Sequence, residues 1–415
     1  MQIPIIINER PEARSVSVIF AWRAGSRFEH QDEEGVAHAL EHLLFKGSSR
    51  YSYRDVSVSI AAVGGYQNAY TSKDEIQAHF WIPAAHLPQI FEIMADVALH
   101  PSLRREDIEP EKRILLRESR QLQENGVQWA LFQALSAMFE GNSLGRLSIG
   151  SDEAIHAITP EKLRKFHEET FSSEGCVVAA SGQVNNEEIR RLVDDHFHSL
   201  PAQGRSFSPV DAPSSVPKLS HLPRASELSG LCVGVRSVAF TDPDYYRLML
   251  CDAILGRGPS SRIFEELRVK RQLAYRVRTN LRNYSDTGFW GLSAGVPPAK
   301  VAEATEVMIN TLVNLRDEGM NEEELIRARN IVRGALILNY DNPGELVRLM
   351  ATTKLHLGEW LTVDLLNQEF RSISLEDVHR PLQRVLAPGH FSIAYYGPKA
   401  DLSEKKINDF LSILD

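Results

Sequence analysis

Two histidines and a glutamate stand close together at His38-Ala39-Leu40-Glu41-His42. On a helix, residues four apart lie one above the other, so His38 and His42 can present their rings to neighbouring vertices of one tetrahedral metal. Glu41 shares that side and can take a proton from water. The order is the reverse of the HExxH arrangement that binds zinc on a helix. Such a short motif also arises by chance, and two satisfied structural histidines are the alternative reading, so a third ligand has to decide.

Glu118, 76 residues further on, is the candidate. Ile108, Glu111, Leu115, Glu118 and Leu122 recur at spacings of three and four, the pattern of one buried helical stripe. Two of the five are carboxylates, and burying an unpaired carboxylate is costly. The pattern therefore predicts a partner for them, either a metal with its ligands or, as the alternative, buried arginines.

These side chains need a scaffold. The segment 34–45 reads as a helix whose apolar stripe is Val36, Leu40, Leu43 and Leu44, leaving His38, Glu41, His42 and Phe45 on another face. Segments 15–22, 66–71 and 75–82 read as strands from their β-branched and aromatic content. Segments 84–98, 104–124 and 126–139 read as helices. This mixture predicts an α+β fold, helices packed on a largely antiparallel sheet.

The proline- and serine-rich stretch 201–217 divides the chain into regions 1–200 and 218–415. The same signals recur on either side. A helix start and strand ending at Gly182 return at Gly397, and the helix end at Gly47 matches Gly256, giving offsets of 215 and 209 residues. A duplicated unit of about 200 residues is expected. With the offset of 209, His38, Glu41 and His42 fall on Arg247, Leu250 and Cys251, so the second half should hold no metal.

The whole set resembles the pitrilysin-type (inverzincin, HxxEH) zinc metallopeptidase family, which includes the processing peptidases and bacterial two-domain homologues. The resemblance covers the full chain. It implies that His38, His42 and Glu118 bind Zn2+, that Glu111 orients a ligand, and that Glu41 is the general base. Gly64-Gly65-Tyr66-Gln67-Asn68-Ala69-Tyr70-Thr71 resembles the family's edge strand, on which Asn68 and the backbone around Ala69 hold extended substrate; an ordinary strand after a glycine turn is the plainer reading. The segment from Leu267 to Tyr275 resembles one whose arginine and tyrosine bind substrate and stabilise the oxyanion, roles that fall to Arg268 and Tyr275. By resemblance, the chain is a metalloendopeptidase that cleaves peptides or small unfolded polypeptides inside a chamber closed by dimerisation. A homodimer is expected, with a heterodimeric processing peptidase or a non-catalytic assembly subunit as alternatives.

Composition sets the remaining limits. The chain has 415 residues, 43% hydrophobic and 24% charged, with a formal net charge of -9, which gives no support to nucleic-acid or anionic-membrane binding. Cys176, Cys232 and Cys251 are widely spaced in apolar runs and read as reduced buried thiols. The N-terminus reads as a first strand rather than a secretion signal, and no apolar run reaches the ~20 residues of a membrane span. A cytoplasmic location is expected. Gly141-Asn142-Ser143-Leu144-Gly145 matches GxSxG, but it follows a helical run where a serine-hydrolase elbow needs a strand.

Overall fold

Val16, Val18, Phe20 and Trp22 alternate with Ser17, Ile19 and Ala21 along one strand, and both sets are buried. A strand apolar on both faces has to lie inside a sheet covered on both sides. The computed structural model, which describes residues 3–211 and 217–412, places it there. The first sheet contains β1 (Ile5–Glu9), β2 (Ser15–Trp22), β3 (Tyr66–Thr71), β4 (Ile76–Pro83) and β5 (Cys176–Gly182). Its order is β1-β5-β2-β4-β3, and only the β1–β5 pair is parallel. The second contains β6 (Lys218–Pro223), β7 (Ser229–Ser237), β8 (Val277–Asn283), β9 (Gly288–Val296) and β10 (Phe391–Gly397). Its order is β6-β10-β7-β9-β8, again with one parallel pair, β6–β10. The second sheet repeats the first strand for strand, as the recurring sequence signals predict. Helices pack on both, and the fold is α+β.

The helices that matter for function are α1 (Val36–Leu43), α2 (Arg105–Glu124), α3 (Gly126–Met138), α4 (Tyr245–Gly256) and α5 (Pro343–Leu357). The two compact units do not follow the midpoint of the chain. One comprises residues 1–119, 146–208 and 337–361; the other comprises 120–145, 209–336 and 362–415. Each sheet is therefore covered on one face by a helix from the other half of the sequence.

In the first unit, Leu346, Val347, Met350, Ala351 and Leu355 of α5 pack on Ile6, Ile19, Ala21, Val177 and Ala179 of the sheet. Polar contacts fix the position of α5: Gln77 Nε2 donates to Thr352 Oγ1 at 3.1 Å, and Thr352 Oγ1 donates to Glu75 at 2.9 Å. In the second unit, Ala130, Leu131, Ala134 and Leu135 of α3 join Cys232, Phe289 and Ala394 in one core. The approach is tight at Gly230, where a Cβ would come within 1.9 Å of the Gly126 carbonyl oxygen.

The stretch 201–211 has no regular structure, as its composition predicts, yet it is anchored. Arg205 donates to Glu33, Glu169 and, at 3.0 Å, the carbonyl of Phe28, while Arg27 lies 3.6 Å over the ring of Phe207. Part of the expected linker, 212–216, lies outside the described residues. All three cysteines are buried free thiols, and burial pushes the Cys232 thiol up to about 12. Ser143 sits in a short 3-10 turn after α3, which is not the strand-to-helix elbow of a serine hydrolase.

Candidate metal centre

Helix α1 begins at Gly35, whose φ of +84° is open to glycine and strained for other residues. No local side chain caps its first turn. Instead the carboxylate of Glu29 accepts the Ala37 amide at 2.8 Å. Burial is the main influence on this group and raises Glu29 to about 8, despite opposing contributions from the Ala37 amide and the charges of Lys73 and Arg146. Val36, Leu40, Leu43 and Leu44 are buried as the stripe predicts, which leaves His38, Glu41 and His42 on the half-open side against β3.

There the structure brings together the side chains singled out by spacing. His38 Nε2 lies 3.9 Å from Glu118 Oε2, and His42 Nε2 lies 3.6 Å from the same oxygen. One donor atom from each of His38, His42 and Glu118 lies within 4.8 Å of the other two. Ligands about 2.0–2.2 Å from a tetrahedral zinc stand about 3.3–3.6 Å apart, so the observed spacing approaches what such an ion requires. Glu41 joins the group, with Oε2 3.9 Å from His38 Nε2. Its pKa is raised, first by burial and further by the Glu118 charge, against the lowering effects of His42 and the amide and hydroxyl of Thr71. Burial and the neighbouring His42 hold His38 down to about 4, so its ring is neutral at pH 7.

Glu111 determines which nitrogen of His42 faces the centre. His42 Nδ1 lies 3.1 Å from Glu111 Oε2, and the other carboxylate oxygen meets Lys46 Nζ at 2.5 Å. A neutral His42 that donates from Nδ1 to Glu111 turns the lone pair of Nε2 toward a second carboxylate, Glu118. Two acceptors facing each other repel unless a cation lies between them. The donor set thus fits a divalent ion with a carboxylate–histidine arrangement behind one ligand.

One expectation needs correcting. The buried stripe of α2 is Ile108, Glu111, Leu115 and Ser119, not one that includes Glu118 and Leu122. At 3.6 residues per turn the stripe passes from Leu115 to Ser119, and Glu118 lies on its flank with 39% of its side chain exposed. Glu111, at 7%, is the buried carboxylate and is paired. Sequence reasoning missed Lys46, Thr71 and Glu29. Lys46 stands one helical turn beyond His42 and was detectable from that spacing; Glu29 lies in an irregular segment with no periodic signal.

Asn68 and Ala69 lie on β3, the edge strand of the first sheet, and line a cavity of ≈ 610 Å³ with Tyr66, Tyr70 and Trp81. In the second unit Arg268 and Tyr275 are brought together. Arg268 Nη1 donates to the Tyr275 carbonyl at 3.0 Å, and the guanidinium lies 4.5 Å from the Tyr275 ring centre. Arg268 sits in a π-helical turn, Glu265–Lys270, and Tyr275 is 72% exposed. Arg247, Leu250 and Cys251 occupy the corresponding face of α4, and among the described residues the second unit offers no comparable donor set.

A family model described as insulinase, peptidase family M16, matches residues 5–152, and one described as the peptidase M16 inactive domain matches 157–332. An uncharacterized zinc protease of Streptomyces coelicolor is 27% identical over 98% of this chain and 90% of its own length. The mitochondrial-processing peptidase subunit beta of Mus musculus is 27% identical over 90% of this chain and 78% of its own. A protease from Helicobacter pylori has the same fold, with a TM-score of 0.88 at 20% identity, covering 96% of this chain and 98% of that one.

Proposed function

The chain belongs to peptidase family M16, the pitrilysin-type metallopeptidases, and from that membership we propose that it is a zinc-dependent endopeptidase acting on peptides or small unfolded polypeptides. The observation that carries the proposal is the convergence of His38, His42 and Glu118 beside the base-competent Glu41. His38, His42 and Glu118 hold Zn2+, and Glu111 with Lys46 fixes the tautomer and orientation of His42. Bound there, zinc supplies Lewis-acid activation of the reacting groups.

The remaining steps belong to the chain. Glu41 sits in a partly desolvated pocket that raises its proton affinity, which suits a base that takes a proton from water and returns it to the leaving amine. Asn68 and the backbone of β3 hold the substrate as an added strand. Arg268 and Tyr275 stabilise the negative charge that develops on the scissile carbonyl oxygen. The chamber forms by pairing with a second copy. A heterodimer is the second reading, favoured by the mouse relative being named as a subunit. The expected cellular location is the cytoplasm, and no helix among the described residues is long and apolar enough to cross a membrane.

The test is metal content and turnover on a mixed peptide library. The purified chain should carry about one zinc, and chelation should abolish hydrolysis that zinc then restores. Full hydrolysis by zinc-free protein would overturn the proposal.

A further inference from the structure

The two histidines of the metal centre are not held alike. His42 has its Nδ1 on Glu111, and Glu111 is fixed in turn by Lys46. His38 has no such support: its Nδ1 is buried and meets no hydrogen-bond partner among the described residues. A ligand histidine is ordinarily aimed by the group bound to its other ring nitrogen. The aim of His38 is therefore left to the backbone of the first turn of α1, of which it is the third residue.

That turn hangs from the stretch 26–35, which contains only two short 3-10 turns. The Glu29 carboxylate holds the Ala37 amide, one residue before His38. Such backbone has no ladder of its own to fix it, and here cations from distant parts of the chain take its carbonyls. Arg146 donates to the carbonyls of Glu29 at 2.5 Å and His30 at 2.8 Å, and Lys162 donates to that of Asp32 at 2.5 Å. Arg205 makes the most contacts. Its guanidinium donates to the Phe28 carbonyl at 3.0 Å, to both oxygens of Glu33, and through Nε to Glu169 at 3.0 Å. Glu33 Oε2 also accepts the His30 amide at 3.0 Å, closing the 3-10 turn that leads to Gly35. The Arg205 and Glu33 side chains are 6% and 2% exposed. Two residues on, Phe207 covers Arg27 and meets Phe28 edge-on, 5.3 Å between ring centres.

Arg205 and Phe207 belong to the proline- and serine-rich stretch, whose composition predicts only a spacer. A spacer has no need of a buried arginine held by two oxygens of one carboxylate, and a buried pair is costly unless its hydrogen bonds are complete. We infer that Arg205 is a positioning residue for the metal centre: from the segment that joins the two halves of the sequence, it fixes the stretch 28–33, and through Glu29 the first turn of α1 and the aim of His38. The centre then has two independent supports, Glu111 with Lys46 behind His42, and Arg205 with Glu29 behind His38. Lysine cannot replace Arg205, since a single ammonium does not span Glu33, Glu169 and the Phe28 carbonyl as the planar fork does. The inference rests on the zinc reading of the site but not on peptide cleavage.

The test measures zinc affinity of the full chain by competition with a chelator, together with the visible spectrum of the chain loaded with Co2+ in place of zinc. Arg205→Ala should bind zinc about tenfold more weakly, as for groups that orient a ligand, and its cobalt bands should shift as the site loses its geometry. Arg205→Lys should show the same loss in smaller measure, and it serves where the alanine variant does not fold. Pairing the changes separates the two supports. The losses from Arg205→Ala and Glu29→Leu should fall short of multiplying, because they act along one route, whereas those from Arg205→Ala and Glu111→Gln should multiply. Phe207→Ala replaces Glu29→Leu if the latter does not fold. Arg262→Ala breaks a similar pair, with Glu324 in the second unit, and should lower the urea midpoint without moving zinc affinity. A wild-type chain that binds no zinc overturns the proposed function and this inference together. Where wild type binds zinc, the inference alone falls if the Arg205 variants keep full affinity, if they lose no more than Arg262→Ala, or if the Arg205 and Glu111 losses fail to multiply.

Discussion

Glu41 and Glu118 are both glutamates beside His38, yet the proposal gives them opposite duties, one to move a proton and the other to hold a cation. Substitution separates them. Glu41→Gln should keep zinc and lose about 10²–10⁴-fold in turnover, the usual contribution of a positioned base. Glu118→Gln should weaken zinc itself. Glu111→Gln should weaken it by about 10–100-fold, because it orients His42 without touching the ion. Competition with a chelator measures zinc affinity and peptide cleavage measures turnover; unimpaired turnover in Glu41→Gln would remove it as the base. His167 gives a pH-dependent case away from the metal. Its Nε2 lies 3.0 Å from the Ala98 carbonyl, and burial holds its pKa down to about 4, below the 6.5 of an exposed histidine. The unfolded chain therefore binds a proton at this site at a pH where the folded chain does not. The stability from neutral His167 is complete above about 6.5 and is lost as pH falls toward about 4. His167→Gln should flatten that part of the profile, read as urea midpoints at pH 7 and pH 5.

Secondary-structure elements show how far local pattern reaches. The strands Ser15–Trp22 and Tyr66–Thr71 have the expected bounds, because β-branched and aromatic residues mark the first and a glycine pair followed by aromatics marks the second. The ligand helix was equally legible, since its apolar stripe fixes which residues face away from the core. The apolar face of α3 was visible too, but periodicity says only that a face must be buried and never names the sheet that buries it. Ala130 and Leu135 thus gave no sign that their partners, Cys232 and Ala394, stand in the other half of the sequence. The same limit applied to Glu118, whose place on the flank of a stripe rather than in it depends on a fraction of a turn. The contact between α3 and β7 leads to a pair of opposite predictions. Gly230→Ala puts a methyl group 1.9 Å from the Gly126 oxygen and should destabilise by about 1–3 kcal/mol. Gly334→Ala, inside the helix Glu322–Asp341 with open space around it, should stabilise by about 0.5–1 kcal/mol. Urea unfolding of the two variants should move in opposite directions.

At the scale of the whole molecule, the proposed dimer can be tested by mixing. If the zinc ligands come from one chain and Arg268 and Tyr275 from its partner, Glu41→Gln and Arg268→Ala/Tyr275→Phe should each be nearly inactive alone. After subunit exchange, random two-fold pairing makes about half the dimers mixed, each with one intact site, so activity should return to roughly a quarter of wild type. Proven exchange without recovery would exclude this arrangement. A fragment of residues 1–208 contains every proposed zinc ligand but lacks α5, leaving Ile19, Ala21, Val177 and Ala179 uncovered. It should bind a hydrophobic dye and retain no tight zinc, and fusing residues 337–361 behind a flexible tether should reverse both results. The exchanged helix also sets the timing of birth. The last strand of the first sheet ends at Gly182, but α5, which closes it, ends at Leu357, some 175 residues later. At ~5–20 residues per second the ribosome needs roughly 10–35 s to cover that distance. During that time the half that holds the proposed zinc site has no finished core, so a chain abandoned in mid-synthesis is released with that site unsupported.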